Sequence, residues 1–333
     1  MNISKYIIGI LVFSLSSTLI AKEELVVYSG RSDKFIKPIV KAFKKETGIS
    51  VVLHSAKSTA LLNKLKLENS RTDADLYISN DAGNLQRGAD LGLFQKIPAS
   101  LTNTIPANYR SSHDLWLGLS ARARVLVANT NSPAATHVKS VFDLAKPEYK
   151  DRIAITYATN GSFIAGATVY MKAAGEKDTL NWLKGLSMNA NKNTYNKHSK
   201  VVKAIAKGKA EVGLVNHYYI YRHLAKSPNA PIKIVLPDQG KNDMGIAWNV
   251  AGIAISKHTK KKDLAIQFID FLVSKKGQKM FAEVNKEYPT RTGIDTAPEI
   301  PSISQLKVAD VPMEALGKNR NATLDLIDKS GLQ

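Results

Sequence analysis

The stretch Glu24-Leu25-Val26-Val27-Tyr28-Ser29, followed at once by Gly30-Arg31-Ser32-Asp33, reads as a β-strand that runs through a tight turn into a helix. Beyond the turn, Phe35, Ile36, Ile39, Val40 and Phe43 recur at helical spacing, Ser32 or Asp33 is placed to cap the helix, and Gly48 ends it. Residues 49–54 then read as a second strand, residues around 61–67 as a second helix, and residues 75–79 as a third strand ending in Asn80-Asp81-Ala82-Gly83. A β-α-β-α-β series at such short spacing is the pattern of an open α/β sheet, which binds ligands beyond the carboxyl ends of its strands. Three loops, at 29–33, 55–58 and 79–83, are therefore expected to face one crevice.

Outward from this unit the pattern recurs. An extended path at 116–120 and 122–129 leads, past a proline-bearing stretch at 133–147, to a second αβ series that begins at Asp151. Its strand at 153–155 is followed by a loop at 157–162, helices at 163–174, around 180–186 and at 200–208, a short apolar strand at 212–215, and a strand at 233–236. A return strand at 248–256 and an amphipathic helix at 262–274 come next, and the chain from Pro289 onward reads as helix-rich. The expected architecture is α/β with two lobes, residues 22–120 with 248–289 and residues 121–247 with 290–333. Few segments cross between them, so closure over a ligand would be a hinge motion. At 333 residues each lobe can bury its own core, and a hydrophobic share of 44% fits a globular chain.

Residues 1–21 differ in character. Lys5 precedes an apolar run at 6–15, small residues follow at Ser16-Ser17-Thr18, and Ala21 stands before the charged Lys22-Glu23-Glu24. This is the order of a secretory signal, with cleavage expected after Ala21, and the run is too short to span a membrane. The chain has no cysteine, which excludes disulfides, thiolate metal sites and a lipid-anchored cysteine. A free periplasmic location is the expectation. The formal net charge is +19, yet the lysines are scattered, with one tight cluster at Lys260-Lys261-Lys262, and no nucleic-acid-binding motif accompanies them. The charge reads as a solvated surface rather than a nucleic-acid interface.

The chemistry concentrates at Val215-Asn216-His217-Tyr218-Tyr219-Ile220-Tyr221-Arg222. Adjacent tyrosines at the end of a buried strand stand where α/β sheets place ligand residues, although aromatic residues opening a helix also pack against cores. A hard cation such as Fe3+ favours anionic oxygen donors, and a bound metal displaces the phenolic proton. Two phenolates leave an octahedral shell unfilled. The loop Thr159-Asn160-Gly161-Ser162 at a helix start could hold an anion, and Arg31, Arg122 and Arg124 could add fixed positive charge. Zinc-helix, nucleophile-elbow, phosphate-loop and dinucleotide motifs are missing from the sequence, and the seven histidines show no tight ligand spacing. A binder is therefore favoured over an enzyme, and a carrier of an organic or inorganic anion without metal stands as the alternative.

Taken in order, Val27-Tyr-Ser-Gly-Arg31, Ala42-Phe-Lys-Lys-Glu-Thr-Gly-Ile49, Asp73-Ala-Asp-Leu76, Ala121-Arg-Ala-Arg-Val125, Asn216-His-Tyr-Tyr219, Phe268-Ile-Asp-Phe-Leu272 and Glu287-Tyr-Pro289 resemble the periplasmic ferric-ion-binding proteins of iron ABC importers. The resemblance implies a type II periplasmic-binding-protein fold, two α/β lobes joined by crossing hinge strands with the ligand cleft between them. It implies Tyr218 and Tyr219 as iron-binding phenolates, and Asn160, Gly161 and Ser162 as the loop for a synergistic anion, carbonate or phosphate. Arg122 and Arg124 fall on the segment that supplies an anion-binding arginine, Arg122 being preferred on strand alternation. Where some members carry a histidine or tyrosine ligand, Ser32 and Asp33 stand here; where some carry a glutamate, Asn80 and Asp81 stand here. Tyr157 lies close to the place of a third tyrosine. Asp33, Asn80 and Tyr157 are thus auxiliary candidates, with Arg31 as an anion partner. The implied partner is an inner-membrane ABC permease, served by a monomeric carrier.

Overall fold

The computed structural model describes residues 24–333, so the expected signal at residues 1–21 lies outside the described residues. Its strands are β1 Glu24–Ser29, β2 Ser50–Ser55, β3 Leu76–Ser79, β4 Phe94–Gln95, β5 Leu117–Asn129, β6 Ile153–Thr156, β7 Thr194–Tyr195, β8 Val212–Asn216, β9 Ile232–Val235, β10 Trp248–Ser256 and β11 Tyr288–Pro289. They hydrogen-bond in the order β2-β1-β3-β10-β5-β8-β6-β7, with β4 on β10 and with β9 and β11 on β5. At one end β1 runs parallel to β2 and β3, and at the other β6 runs parallel to β7 and β8. These parallel groups are the two αβ series, and antiparallel β5 and β10 join them.

The long strand β5 organises the molecule. Its first part pairs with β10, from Leu117 opposite Ile253 to Ala123 opposite Trp248. From Arg124 it changes partner and pairs with β8, Arg124 opposite Asn216 and Ala128 opposite Val212. All thirteen residues are buried, which suits a run that is apolar apart from Ser120, Arg122, Arg124 and Asn129. The change of partner at Ala123 and Arg124 divides the sheet into a first and a second half.

The opening unit folds as its periodicity predicts. Helix Asp33–Thr47 buries Phe35, Ile36, Ile39 and Phe43, and Gly48 at φ +78° ends it in the left-handed conformation, its N–H bonded to the Lys44 carbonyl. Ser32 occupies the N-cap position but makes no side-chain cap bond. Among the departures from the sequence reading, two shape the surroundings of the strand ends. A helix at Ala82–Asp90 follows β3, capped by the Asp81 side chain, which accepts from the Gly83 N–H. Beyond β11 the chain is mostly irregular until Ala315–Lys318 and Arg320–Ser330, because Gly293, Pro298, Pro301 and Pro312 interrupt helix formation. Ala315–Lys318 packs on Ala82–Asp90 of the first half, whereas Arg320–Ser330 packs on the second-half helices Gly161–Ala174 and Glu176–Ala190. The tail thus passes between the halves near residue 319.

One core cluster gathers Ile36, Phe43, Ile78, Ile253, Phe268 and Phe281 in the first half. A second runs from Tyr77 and Leu85 through Trp116 and Trp248 to Val215 and Trp182. It includes residues of both halves.

Candidate functional site

Strand β8 ends at Asn216, and His217 turns the chain into the helix Tyr218–Leu224. The His217 ring is wholly buried, accepting from the Ala123 N–H at Nδ1 (3.2 Å) and bonding the Lys286 carbonyl through Nε2 (2.8 Å). Both nitrogens serve backbone groups, and burial lowers the ring pKa to about 4, so the imidazole is neutral. It pins the strand end to β5 and to the residue that follows helix Lys275–Asn285.

Tyr218 and Tyr219, the next two residues, both line a cavity of about 730 Å3. Their ring centroids lie 4.4 Å apart. Tyr218 meets the edge of Phe35, from the first half, at 5.8 Å, and Tyr219 tilts against His198 at 5.1 Å. Burial, reinforced by the neighbouring Tyr218, pushes the Tyr219 phenol well above its ordinary range. Without a cation to displace it, that phenolic proton is held firmly at neutral pH.

The loop after β6 supplies the adjoining wall. Asn160 caps the helix Gly161–Ala174, its side-chain oxygen accepting from the Ser162 N–H at 2.9 Å, and Asn160, Gly161 and Ser162 all line the cavity. The Phe163 and Ile164 N–H groups bond the Asn160 carbonyl and the Ser162 N–H its side chain, so it is the Gly161 N–H and the positive end of the helix that suit this wall to an anion. Arg122 lines the same cavity while 3% exposed. Arg124 lies deeper: its Nη1 donates to the Asn216 side-chain oxygen at 3.2 Å, and Asn216 Nδ2 donates to Ser162 Oγ at 3.4 Å. Burial lowers the Arg124 pKa to about 10, with Tyr170 and Tyr218 opposing the shift. Strand alternation puts residues 122 and 124 on the same face, so it cannot separate them. What separates them is that Arg122 lines the cavity, whereas Arg124, bonded to Asn216 opposite it in the ladder, does not.

Two candidates lie elsewhere. The Arg31 guanidinium is buried between the Phe35 and Phe281 rings, with Nη2 2.6 Å from Glu287 and Nη1 donating to Ser120, and it does not line the cavity. Burial raises the Glu287 pKa, but Arg31 and Arg122 outweigh it and hold the carboxylate below its ordinary value. Asp33 pairs with Lys37 and accepts from Ser55 at the surface, outside the cavity lining. Asn80 and Tyr157 do line it, Asn80 donating to the Gly30 carbonyl and Tyr157 44% exposed.

The sequence reading does not include His198, Lys57 or Arg320 among its candidates, and all three line the cavity. His198 is 4% exposed, neither ring nitrogen has a partner in the protein, and burial holds its pKa well below the ordinary value. Only its place at the start of a helix, before the amphipathic run 198–206, marks it in the sequence. Among the described residues, Asp81 is the one acid in the lining, and no cluster of three or more His, Cys, Asp or Glu could hold a metal. The phenol oxygens are the candidate metal donors.

Residues 38–308 match the family model described as bacterial extracellular solute-binding protein. The chain belongs to that family. The Fe(3+)-binding periplasmic protein of Serratia marcescens is 30% identical over 314 residues, covering 94% of this chain and 91% of that protein. The structure of Trichodesmium IdiA (FutA) with iron and citrate ligands superposes with a TM-score of 0.82 at 30% identity, covering 93% of this chain and all of that one. Iron-bound HitA from Pseudomonas aeruginosa superposes at 0.86 with 26% identity, over 93% of this chain and all of that one. As a solute-binding protein with this architecture, the molecule has a type II periplasmic-binding-protein fold, and its family consists of binding proteins, not enzymes.

Proposed function

We propose that this solute-binding protein captures ferric iron together with a synergistic anion in the periplasm and delivers it to an inner-membrane ABC permease. The observation that carries the reading is the adjacency of Tyr218 and Tyr219 in one cavity with the Asn160–Ser162 turn and Arg122. Relatives named for ferric iron, similar along nearly the whole chain, support it. The cation displaces two phenolic protons, and the two phenolates offset two of its three charges. Open coordination positions and a remaining positive charge then call for an anion held by the helix start and the buried guanidinium. Carbonate and phosphate fit that wall, with Asn80 and Tyr157 as auxiliary contacts. The first half brings a single acid, Asp81, which caps Ala82–Asp90, so the anion and water complete the shell.

In this reading residues 22–120 with 248–289 form one lobe and residues 121–247 the other, while the tail 290–333, expected wholly in the second, is shared, with Ala315–Lys318 on the first and Arg320–Ser330 on the second; the carrier acts as a monomer. A metal-free anion carrier is the competing reading, and the tyrosine pair gives it no role beyond stacking. Calorimetry separates the two. Ferric ion with bicarbonate should bind with high affinity, while bicarbonate or phosphate alone, with a chelator present, should bind weakly; equal affinity in both cases would overturn the ferric reading.

A further inference from the structure

Between Thr179 and Pro237 the sequence holds nine lysines and one arginine against a single acid, Glu211, and that acid is paired with Arg152 at 3.6 Å. The fold gathers part of this charge on one face. Helix His198–Ala206 buries Val201, Val202 and Ile205 and turns Lys200 and Lys203 outward, with Lys197 exposed just before it. It packs on helix Tyr218–Leu224, where burial and then the charge of Lys203 lower the His223 pKa, and Arg222 and Lys226 continue the positive face. The first half adds Lys34. Its ammonium and the Arg222 guanidinium both stand over the Phe35 ring, at 4.9 and 4.7 Å from the centroid. Partial burial lowers the Lys34 pKa, and repulsion from Arg222, Lys226 and Lys197 lowers it further. Among the described residues, none of these cations forms an ion pair, and Nη1 of Arg222 is buried without a partner.

Like charges brought together from both halves with no acid among them repel one another until something anionic covers them. Composition says which anionic surface fits. Lysine is depleted in protein–protein interfaces, where arginine and aromatic residues are enriched, and its ammonium is a hydrated point charge without a fork for carboxylates. None of the exposed large apolar side chains falls between Lys192 and Lys233, so the face offers a protein partner no apolar centre. A basic face of about four to eight lysines and arginines built on an amphipathic helix suits instead the diffuse negative charge of a lipid surface. We propose that the face formed by Lys34, Lys197, Lys200, Lys203, Arg222 and Lys226 holds the carrier against an anionic phospholipid membrane. No described helix is long and apolar enough to cross a bilayer, so the association is peripheral, electrostatic and reversible. It goes beyond the ferric reading and needs no metal.

The test mixes the metal-free chain from residue 22 onward, so that the apolar run at 6–15 takes no part, with vesicles of phosphatidylcholine alone and of equimolar phosphatidylcholine and phosphatidylglycerol. Co-sedimentation across a range of salt concentrations reports binding. Wild type should bind the mixed vesicles and not the neutral ones, and binding should weaken as salt rises. The triple variant Lys200→Gln, Lys203→Gln, Lys226→Gln, all at exposed positions, should lower the partition coefficient about a hundredfold, at roughly fivefold per charge. A control triple, Lys66→Gln, Lys150→Gln, Lys260→Gln, removes the same net charge from exposed positions elsewhere and should lower it far less. Equal losses in the two triples would trace the effect to net charge and overturn the assignment of this face. Wild type that ignores phosphatidylglycerol overturns the membrane reading, and binding to polyglutamate but to neither vesicle overturns it in favour of an acidic protein.

Discussion

At the scale of single residues, the proposed function turns on two adjacent phenols, Tyr218 and Tyr219, in one cavity. Burial makes the Tyr219 proton hard to remove, so a cation must supply the free energy that removes it. Replacing Tyr219 with Phe would remove a proposed donor, and the apparent affinity for ferric ion should then fall at least about a hundredfold, since even outer-shell partners of metal ligands are worth 10–100-fold. Competition binding against a chelator of known strength measures it. Protons are released on binding, so acid opposes loading: the apparent affinity should fall as pH falls, by up to about tenfold per unit for each proton displaced. Titrations on either side of neutrality check the sign, and a pH-independent affinity would rule out proton displacement. The tyrosine pair is legible in the sequence because adjacency and a strand end suffice to mark it. His198 and Arg320 are not, for each gains its meaning from a neighbour distant in the chain, Tyr219 for one and Asp81 for the other.

At the scale of elements, the crossing of β5, β10 and β11 is braced by a buried ion pair rather than by hydrocarbon alone. Arg31 at the end of β1, Glu287 beside β11 and Ser120 on β5 form one connected group. Glu287→Gln leaves the Arg31 guanidinium buried without its counter-charge and should destabilise the apo-protein by about 3–5 kcal/mol, read by denaturant unfolding. The pH dependence has a definite sign. The folded pKa of Glu287 lies below the unfolded value near 4.5, so its contribution is complete above that pH and is lost as pH falls through the folded value. The β1, β2 and β3 unit is legible because alternation and helical spacing agree with the fold. Helix Ala82–Asp90 is not, since Gly83 and Gly88 lower its propensity and tertiary packing against Leu316 and Phe94 leaves those positions no room for side chains. Arg31 illustrates the same limit: an arginine at a strand end reads equally well as a ligand or as half of an ion pair until residue 287 is brought beside it.

At the scale of the whole molecule, two sheet halves meet at a cavity whose walls come from both, and the chain passes between them along β5, before β10 and near residue 319. Loading should draw the halves together, giving a smaller radius of gyration by solution X-ray scattering for ferric protein than for apo-protein; identical scattering would contradict hinge closure. The halves are legible as two αβ series, while the third passage is hidden because a proline-broken tail gives no periodic signal. All of this depends on both phenol oxygens binding one ferric ion. The most direct measurement is the visible absorption of wild type and of a Tyr218→Phe, Tyr219→Phe double variant, each loaded with ferric salt and bicarbonate. Wild type should show a phenolate-to-iron charge-transfer band and the double variant should be colourless, whereas equal colour in the two proteins would mean that the iron is held elsewhere.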